Sequence, residues 1–135
     1  MKKQPSIDAQ LAAMPLFAGL QPRDLVEVSG AITQRKVQQG KAVIKAGHWG
    51  HEFVVVLEGE IEVRRDGEVV DVTGPGSFVG ERAVLADVRR NADVIARTDV
   101  VVGAIEAGLF RSLVEEIPGL ADRLTAEAAN RKPAT

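Results

Sequence analysis

The stretch from Gly76 to Val94, GSFVGERAVLADVRRNADV, holds a glycine turn, an acid and arginines in an order that suits binding of a phosphate ester. Gly76 and Gly80 lack a Cβ, so the backbone there can take positive φ angles or approach a ligand closely. Residues 81–86 can form about one helical turn, whose N-terminus presents N–H groups and partial positive charge. The spacing therefore predicts an anion site beside Gly80.

Two charged side chains of this stretch fit different parts of such a ligand. The guanidinium of Arg90 offers a planar fork of donors that matches two phosphate oxygens. A carboxylate would repel phosphate, so the suitable partner for Glu81 is a hydroxyl donor such as a ribose 2′-OH. Together the two residues indicate a sugar phosphate. Taken singly, Arg90 also fits a surface arginine paired with Asp87 or Asp93, and Glu81 fits a helix cap.

The stretch resembles the phosphate-binding cassette of cyclic-nucleotide-binding domains, which is written F-G-E-x-A-L, a spacer and R-(A/S/T)-A-T-V. Here the two parts read VGERAV, from Val79 to Val84, and RNADV, from Arg90 to Val94. Three further segments resemble the family in its order and spacing: MPLFAGL at 14–20, GHWGHEF at 47–53 and VLEGEIEV at 56–63. The resemblance covers residues from about Leu11 to Leu124.

The resemblance implies a fold, a ligand and a site. The fold is mainly β, an antiparallel eight-stranded jelly-roll barrel flanked by N- and C-terminal helices. The ligand is cAMP or cGMP, with cAMP favoured, and the domain is a regulatory sensor that is not an enzyme and holds no metal or other cofactor. The last helix, at about 118–131, would form a lid in which Leu120, Leu124 and Arg131 contact the base. The residues implied to bind the ligand are Val79, Gly80, Glu81, Arg82, Ala83, Arg90, Asn91 and Ala92.

Four residues depart from the family pattern. Arg82 replaces a residue that is usually apolar, and Arg89 stands where proline is common; we expect both side chains to point into solvent. Asn91 offers a donor and an acceptor where alanine accompanies cAMP selectivity, so it leaves the base preference open. A carboxylate at Asp93 would repel phosphate inside the pocket, but strand alternation places it on the opposite face from Arg90.

These departures leave two alternative functions open. The first is a degenerate domain that keeps the fold and serves as a protein-interaction scaffold, with Arg82 and Asp93 marking a lost site. Alternatively, the three arginines Arg82, Arg89 and Arg90 suit a cyclic dinucleotide with two phosphates.

Composition narrows the class of protein. The 135 residues suit one domain, 1–135, with a core at about 11–124. The 17 basic and 19 acidic side chains give a net charge of -2, which argues against a nucleic acid partner. The absence of cysteine is compatible with the cytoplasm, and no run approaches the length of a membrane span. The expected partner is a protein effector or an output domain in a longer protein.

Patterning predicts the elements that position the cassette. Ser6 caps a helix that runs to Met14, and Pro22 begins a second helix. From about Thr33 to Glu106, β-branched runs alternate with glycine turns, which is typical of an antiparallel sandwich or barrel. In this region the apolar run 53–57 predicts a strand buried on both faces, and Asp66-Gly67 predicts a hairpin turn. After Ala107, helical spacing of Leu109, Phe110, Leu113, Val114 and Ile117 precedes a last helix beyond Pro118-Gly119.

His48, His51 and Glu52 lie close together and raise the possibility of a metal site, because the jelly roll also hosts cupins. Their spacing differs from the cupin H-x-H, and the chain has no third histidine. We therefore expect solvent-facing turn residues here rather than metal ligands.

Overall fold

The computed structural model describes residues 7–45, 47, 51–81 and 92–129. Four helices flank the strands in this part of the chain. Two precede them, α1 (Ile7–Ala12) and α2 (Pro22–Ala31), and two follow them, α3 (Ala107–Glu116) and α4 (Leu120–Ala129). The cassette positions 82–91, and the predicted cap Ser6, lie outside the described residues.

The first helix ends at Ala12, two residues before the predicted end at Met14. Pro15 accounts for the difference, since the residue before a proline is disfavoured in the helical region. The chain continues in turns, with the N–H of Met14 donating to the carbonyl of Leu11 at 3.0 Å and Gly19 at φ 84°. Helix α2 begins at Pro22 as predicted, because proline is suited to the first helical turn.

Within the described ranges, eight strands form two antiparallel sheets of four, which confirms the predicted fold class. The first sheet has the order β1-β8-β3-β6 and the second has the order β2-β7-β4-β5. The strands are β1 (Thr33–Val37), β2 (Ala42–Ile44), β3 (Glu52–Glu58), β4 (Ile61–Arg65), β5 (Glu68–Thr73), β6 (Phe78–Val79), β7 (Asp93–Ala96) and β8 (Val100–Glu106).

The hairpin between β4 and β5 turns at the predicted dipeptide. Asp66 has φ 53° and Gly67 has φ 81°, so both central residues adopt the left-handed conformation of a type I′ turn. Aspartate and glycine tolerate this conformation better than most residues. The predicted hairpin is confirmed, and it fixes the register of β4 against β5.

Two apolar clusters hold the layers together. The inner cluster lies between the two sheets and consists of Ile44, Val54, Val56, Ile61, Val63, Val79, Ala92, Val94, Ala96, Val100 and Val102. The helix-side cluster lies between the first sheet and the helices and includes Leu11, Phe17, Val28, Phe53, Val55, Leu57, Phe110, Leu120 and Leu124. Strand β3 supplies both clusters with alternate residues, which confirms that 53–57 is buried on both faces.

The C-terminal helices pack against the helix-side cluster. The ring of Phe110 in α3 stacks on that of Phe53 at a centroid distance of 4.0 Å. Leu113 and Ile117 are also buried, whereas Leu109 is 44% exposed. Leu109 was predicted to share the apolar spacing of α3, but it does not lie on the buried face. The face is therefore narrower than the run of apolar residues in the sequence.

The residues of α4 that were predicted to form a lid over the base are buried in the helix-side cluster. Leu120 and Leu124 pack with Leu11 and Phe17 in the helix-side cluster rather than facing the space between the sheets. In the described conformation these two leucines are therefore core residues, and a base contact would require α4 to move. The third lid candidate, Arg131, lies outside the described residues.

Candidate functional site

The turn before the cassette is tied to the middle of β3. The N–H of Gly76 donates to the carbonyl of Val56 at 3.0 Å, and the N–H of Val56 donates to the carbonyl of Ser77 at 2.9 Å. The hydroxyl of Ser77 closes the turn by donating to the carbonyl of Gly74 at 2.6 Å. Gly76 has φ 92°, which glycine adopts without a Cβ penalty. The start of the cassette is thus anchored to the buried middle of β3.

Strand β6 leads directly into Gly80 and Glu81 of the cassette, and both residues are buried. Val79 belongs to the inner cluster, Gly80 has φ 88°, and Glu81 is only 3% exposed. Gly76 and Gly80 were expected to allow a positive φ angle or a close approach to a ligand, and both have a positive φ angle. A buried carboxylate is costly unless hydrogen-bond donors meet it, so the position of Glu81 calls for donors close by. Ribose hydroxyl groups are donors of this kind.

Strand β7 begins at the other end of the cassette. Ala92 is 5% exposed and belongs to the inner cluster together with Val94. Asp93 is half-buried and lies opposite Arg64 on β4, on the outer face of the second sheet. The prediction that Asp93 faces away from the pocket agrees with this placement. Its carboxylate therefore does not compete with a phosphate for the interior.

The structure brings together part of the predicted site. Val79 and Ala92 both belong to the inner cluster, and Gly80 and Glu81, which follow Val79, are buried. Arg82, Ala83, Arg90 and Asn91 lie outside the described residues, so their roles stay predictions. The same holds for Arg89.

The inner face also carries polar side chains that sequence reasoning missed. Asp71 on β5 is the Cα partner of Val63, and Thr73 is the partner of Ile61; both polar residues are half-buried. Arg65 follows Val63 by two residues on β4 and is half-buried as well. The alternation along β4 was available in the sequence, but the register shift between β4 and β5 was not.

The residues considered for a metal site have other surroundings. Glu52 accepts a hydrogen bond from Nη1 of Arg35 at 2.8 Å, and the side chain of His51 is exposed. His48 lies outside the described residues. Within the described ranges, no three histidine or acidic side chains are grouped so that they could hold a metal ion.

The side chain of Glu106, the last residue of β8, stabilises the start of α3. The carboxylate of Glu106 accepts hydrogen bonds from the N–H groups of Gly108 at 2.9 Å and Leu109 at 3.1 Å. These two bonds hold the pKa of Glu106 below its ordinary value. Glu106 therefore caps α3, the helix that follows β8.

Among the described helices, none is both long and apolar enough to cross a bilayer.

The chain belongs to the cyclic nucleotide-binding domain family. The family model matches residues 34–117, which include the whole cassette and every strand from β1 to β8 except the first residue of β1, Thr33. This result confirms the resemblance on which the sequence analysis relied.

Individual relatives agree with the assignment. A cyclic nucleotide-gated potassium channel from Mesorhizobium japonicum is 33% identical over 92% of this chain and 34% of the channel. A cAMP-dependent protein kinase regulatory subunit from Hypocrea atroviridis is 33% identical over 84% of this chain and 24% of that subunit. The crystal structure of Thermus thermophilus catabolite activator protein superposes with a TM-score of 0.78 at 28% identity, covering 87% of this chain and 57% of that one. The chain thus spans about a third or less of these two curated relatives.

Proposed function

We propose that this domain is a sensor that binds a cyclic nucleotide between the cassette and the inner face of the barrel. The observation that carries the proposal is Glu81, an acid that is 3% exposed and follows Gly80 at φ 88°. A carboxylate has two oxygens with several lone pairs, so Glu81 can accept a hydrogen bond from the ribose 2′-OH in addition to its interaction within the protein.

The other contacts follow from the resemblance. Arg90 pairs with the cyclic phosphate, and Arg82 takes part through its backbone N–H at the start of the helical turn. The other residues implied to bind the ligand are Val79, Ala83, Asn91 and Ala92. A guanidinium and a phosphate form a bidentate, charge-assisted pair, so Arg90 supplies most of the phosphate affinity. Asp93 lies on the outer face of the second sheet, where its carboxylate does not repel a phosphate. This placement supports a site that binds ligand rather than a degenerate one.

Two further proposals concern which nucleotide is preferred and which partner receives the signal. We expect cAMP to bind more tightly than cGMP, a preference supported by the similarity to a cAMP-dependent protein kinase regulatory subunit. The domain performs no chemistry itself and passes the signal to a protein effector or to an output domain in a longer protein. A cytoplasmic location fits this role.

Calorimetric titration of nucleotide-stripped protein with cAMP and cGMP tests the proposal. We expect saturable binding with one site per chain and a dissociation constant in the micromolar range or tighter. Absence of heat with either nucleotide, together with capture of a protein partner, would instead support the scaffold function.

A further inference from the structure

Strand β5 forms an exposed, partly apolar edge of the second sheet. Within the described ranges it is the last strand of that sheet, with β4 as its neighbour. Among the described residues, four large apolar side chains are exposed, and two of them, Val69 at 51% and Val72 at 38%, lie on β5. The edge strand β1 of the first sheet instead exposes Arg35 and Lys36, and such charges discourage strand pairing. The β5 edge is therefore the better suited of the two to pair with another strand.

Both valines lie on the outer face of the second sheet. Val69 is the Cα partner of Arg64, and Val72 is the partner of Glu62. The Nε of Arg64 donates to Oε2 of Glu62 at 2.6 Å, whereas Val63 between them is fully buried in the inner cluster. Opposed residues of an antiparallel pair share one face, so the two valines share the outer face with this ion pair. They are three residues apart because a bulge adds one residue to β5 between them.

The backbone groups of the two valines point away from β4. The carbonyl of Glu60, just before β4, accepts the N–H of Arg97 at 2.9 Å, on the β7 side. Bonding direction alternates along an antiparallel strand, so the β4 residues opposite the valines also bond toward β7. Val69 and Val72 therefore direct their N–H and C=O groups to the open edge. The N–H of Val72 agrees with this direction, since it donates to Oδ1 of Asp71 at 2.9 Å.

A second β5 strand complements this edge. If two copies meet antiparallel about a two-fold axis between Val70 and Asp71, Val69 of each copy lies opposite Val72 of the other. Residues whose bonding groups face the edge then oppose each other, and the valines form two apolar cross-strand pairs. A shift by one residue would instead oppose the two copies of Asp71, or place Asp71 opposite Val69.

We propose that β5 pairs in this register with β5 of a second copy of the chain and joins the two four-stranded second sheets into one continuous sheet. The interface is isologous, because each copy contributes the same two valines. The inference does not rest on nucleotide binding, and a domain that binds no nucleotide would present the same edge.

Asp71 keeps this association weak. Its carboxylate holds the N–H of Val72, so a second strand must displace it. The two copies of Asp71 also approach each other at the axis, where like charges repel. The edge is six residues long, which places the contact at the small end of protein interfaces. We therefore expect a reversible dimer with a dissociation constant in the micromolar range or weaker.

Sedimentation equilibrium of the purified chain up to millimolar concentration tests the dimer, with circular dichroism as a check of the fold. The double variant Val69→Lys/Val72→Lys opposes like charges in both pairs and should weaken association roughly tenfold or more. The double variant Val69→Lys/Val72→Glu replaces the same valines but opposes unlike charges, so it should associate within about threefold of wild type. The matched control Val26→Lys, on α2 and 61% exposed, should associate like wild type.

Disulfide cross-linking tests the register directly, since the chain has no cysteine. In the proposed register the opposed Cα atoms are about 5.5 Å apart, within reach of a disulfide. Mild oxidation of Val69→Cys/Val72→Cys should therefore give a covalent dimer. Each single variant should remain monomeric under denaturing conditions, because its two copies are offset by three residues, roughly 10 Å along the strands.

Three results would overturn the inference. Wild type that stays monomeric at millimolar concentration would leave the edge to a strand of another protein. Equal association of the two double lysine and lysine–glutamate variants would show that positions 69 and 72 do not oppose each other. Single cysteine variants that cross-link as readily as the double variant would exclude the proposed register.

Discussion

Arg123 of the last helix lies against Gly19 in the turns after the first helix: a Cβ built on Gly19 would stand 2.8 Å from Nη2 of Arg123. The contact joins the C-terminal end of the described chain to its N-terminal segment. Leu120 and Leu124 extend the same contact into the helix-side cluster. Helix α4 is therefore a packed part of the core in this conformation.

The packing of α4 predicts a large effect of truncating its buried leucine. Leu124 is 3% exposed, so Leu124→Ala should lower the free energy of unfolding by about 2–4 kcal/mol, from lost burial and a residual cavity. Urea denaturation monitored by circular dichroism measures the change. Leu109→Ala in α3 is the matched control, because that side chain is 44% exposed, and should cost less than about 1 kcal/mol. Equal effects of the two substitutions would mean that α4 is not docked in solution.

The cap at the start of α3 predicts a pH dependence of stability. Hydrogen bonds from Gly108 and Leu109 lower the pKa of Glu106 in the folded state, so the charged form is favoured by folding. The resulting stabilisation is complete above the ordinary pKa of 4.5 and is lost as the pH falls through the lower folded value. Glu106→Gln should therefore be less stable than wild type at pH 7.

The measurement is the difference in unfolding free energy between wild type and Glu106→Gln from pH 7 down to pH 3. We expect the difference to shrink as the pH falls below about 4.5, since protonation removes the charge that distinguishes the two side chains. A difference that stays constant over this range would show that the charge of Glu106 does not contribute.

Glu81 should control recognition of the sugar. Glu81→Ala removes the proposed acceptor for the ribose 2′-OH, so the preference of the domain for cAMP over 2′-deoxy-cAMP should fall from roughly tenfold to near unity, the scale of one hydrogen bond to a charged group. Parallel titrations of both proteins with both nucleotides measure this. A wild-type protein that binds the two nucleotides equally well would remove Glu81 from the ribose site.

Local sequence signals predicted the strands and the cassette turns. Asp66-Gly67 predicted its hairpin because few residues tolerate two successive left-handed conformations, and the apolar run of β3 predicted burial on both faces. Gly76 and Gly80 were expected to allow either a positive φ angle or a close approach to a ligand, and both take a positive φ angle. These features depend on a few neighbouring residues, which is why the sequence alone was sufficient.

Features that depend on distant partners were not predicted. The resemblance implied that Leu120 and Leu124 of α4 contact the base, whereas in the structure both pack in the helix-side cluster. A sequence pattern does not specify which surface a helix face covers. The same limit applies to Leu109, which fits the apolar spacing and is exposed. Asp71 was missed because a bulge at Val70 changes the alternation of β5. The packing partners of α4 and the register of β5 therefore had to be taken from the structure.

The central claim is that the cassette binds a cyclic phosphate, and its most direct test is calorimetric titration of Arg90→Ala beside wild type with cAMP. We expect wild type to bind at micromolar concentration or tighter and the variant to lose about 2 kcal/mol or more of binding free energy, the scale of a charge-assisted pair. Arg97→Ala, at an exposed position after β7, is the control and should bind like wild type. Undiminished affinity in Arg90→Ala would contradict the account.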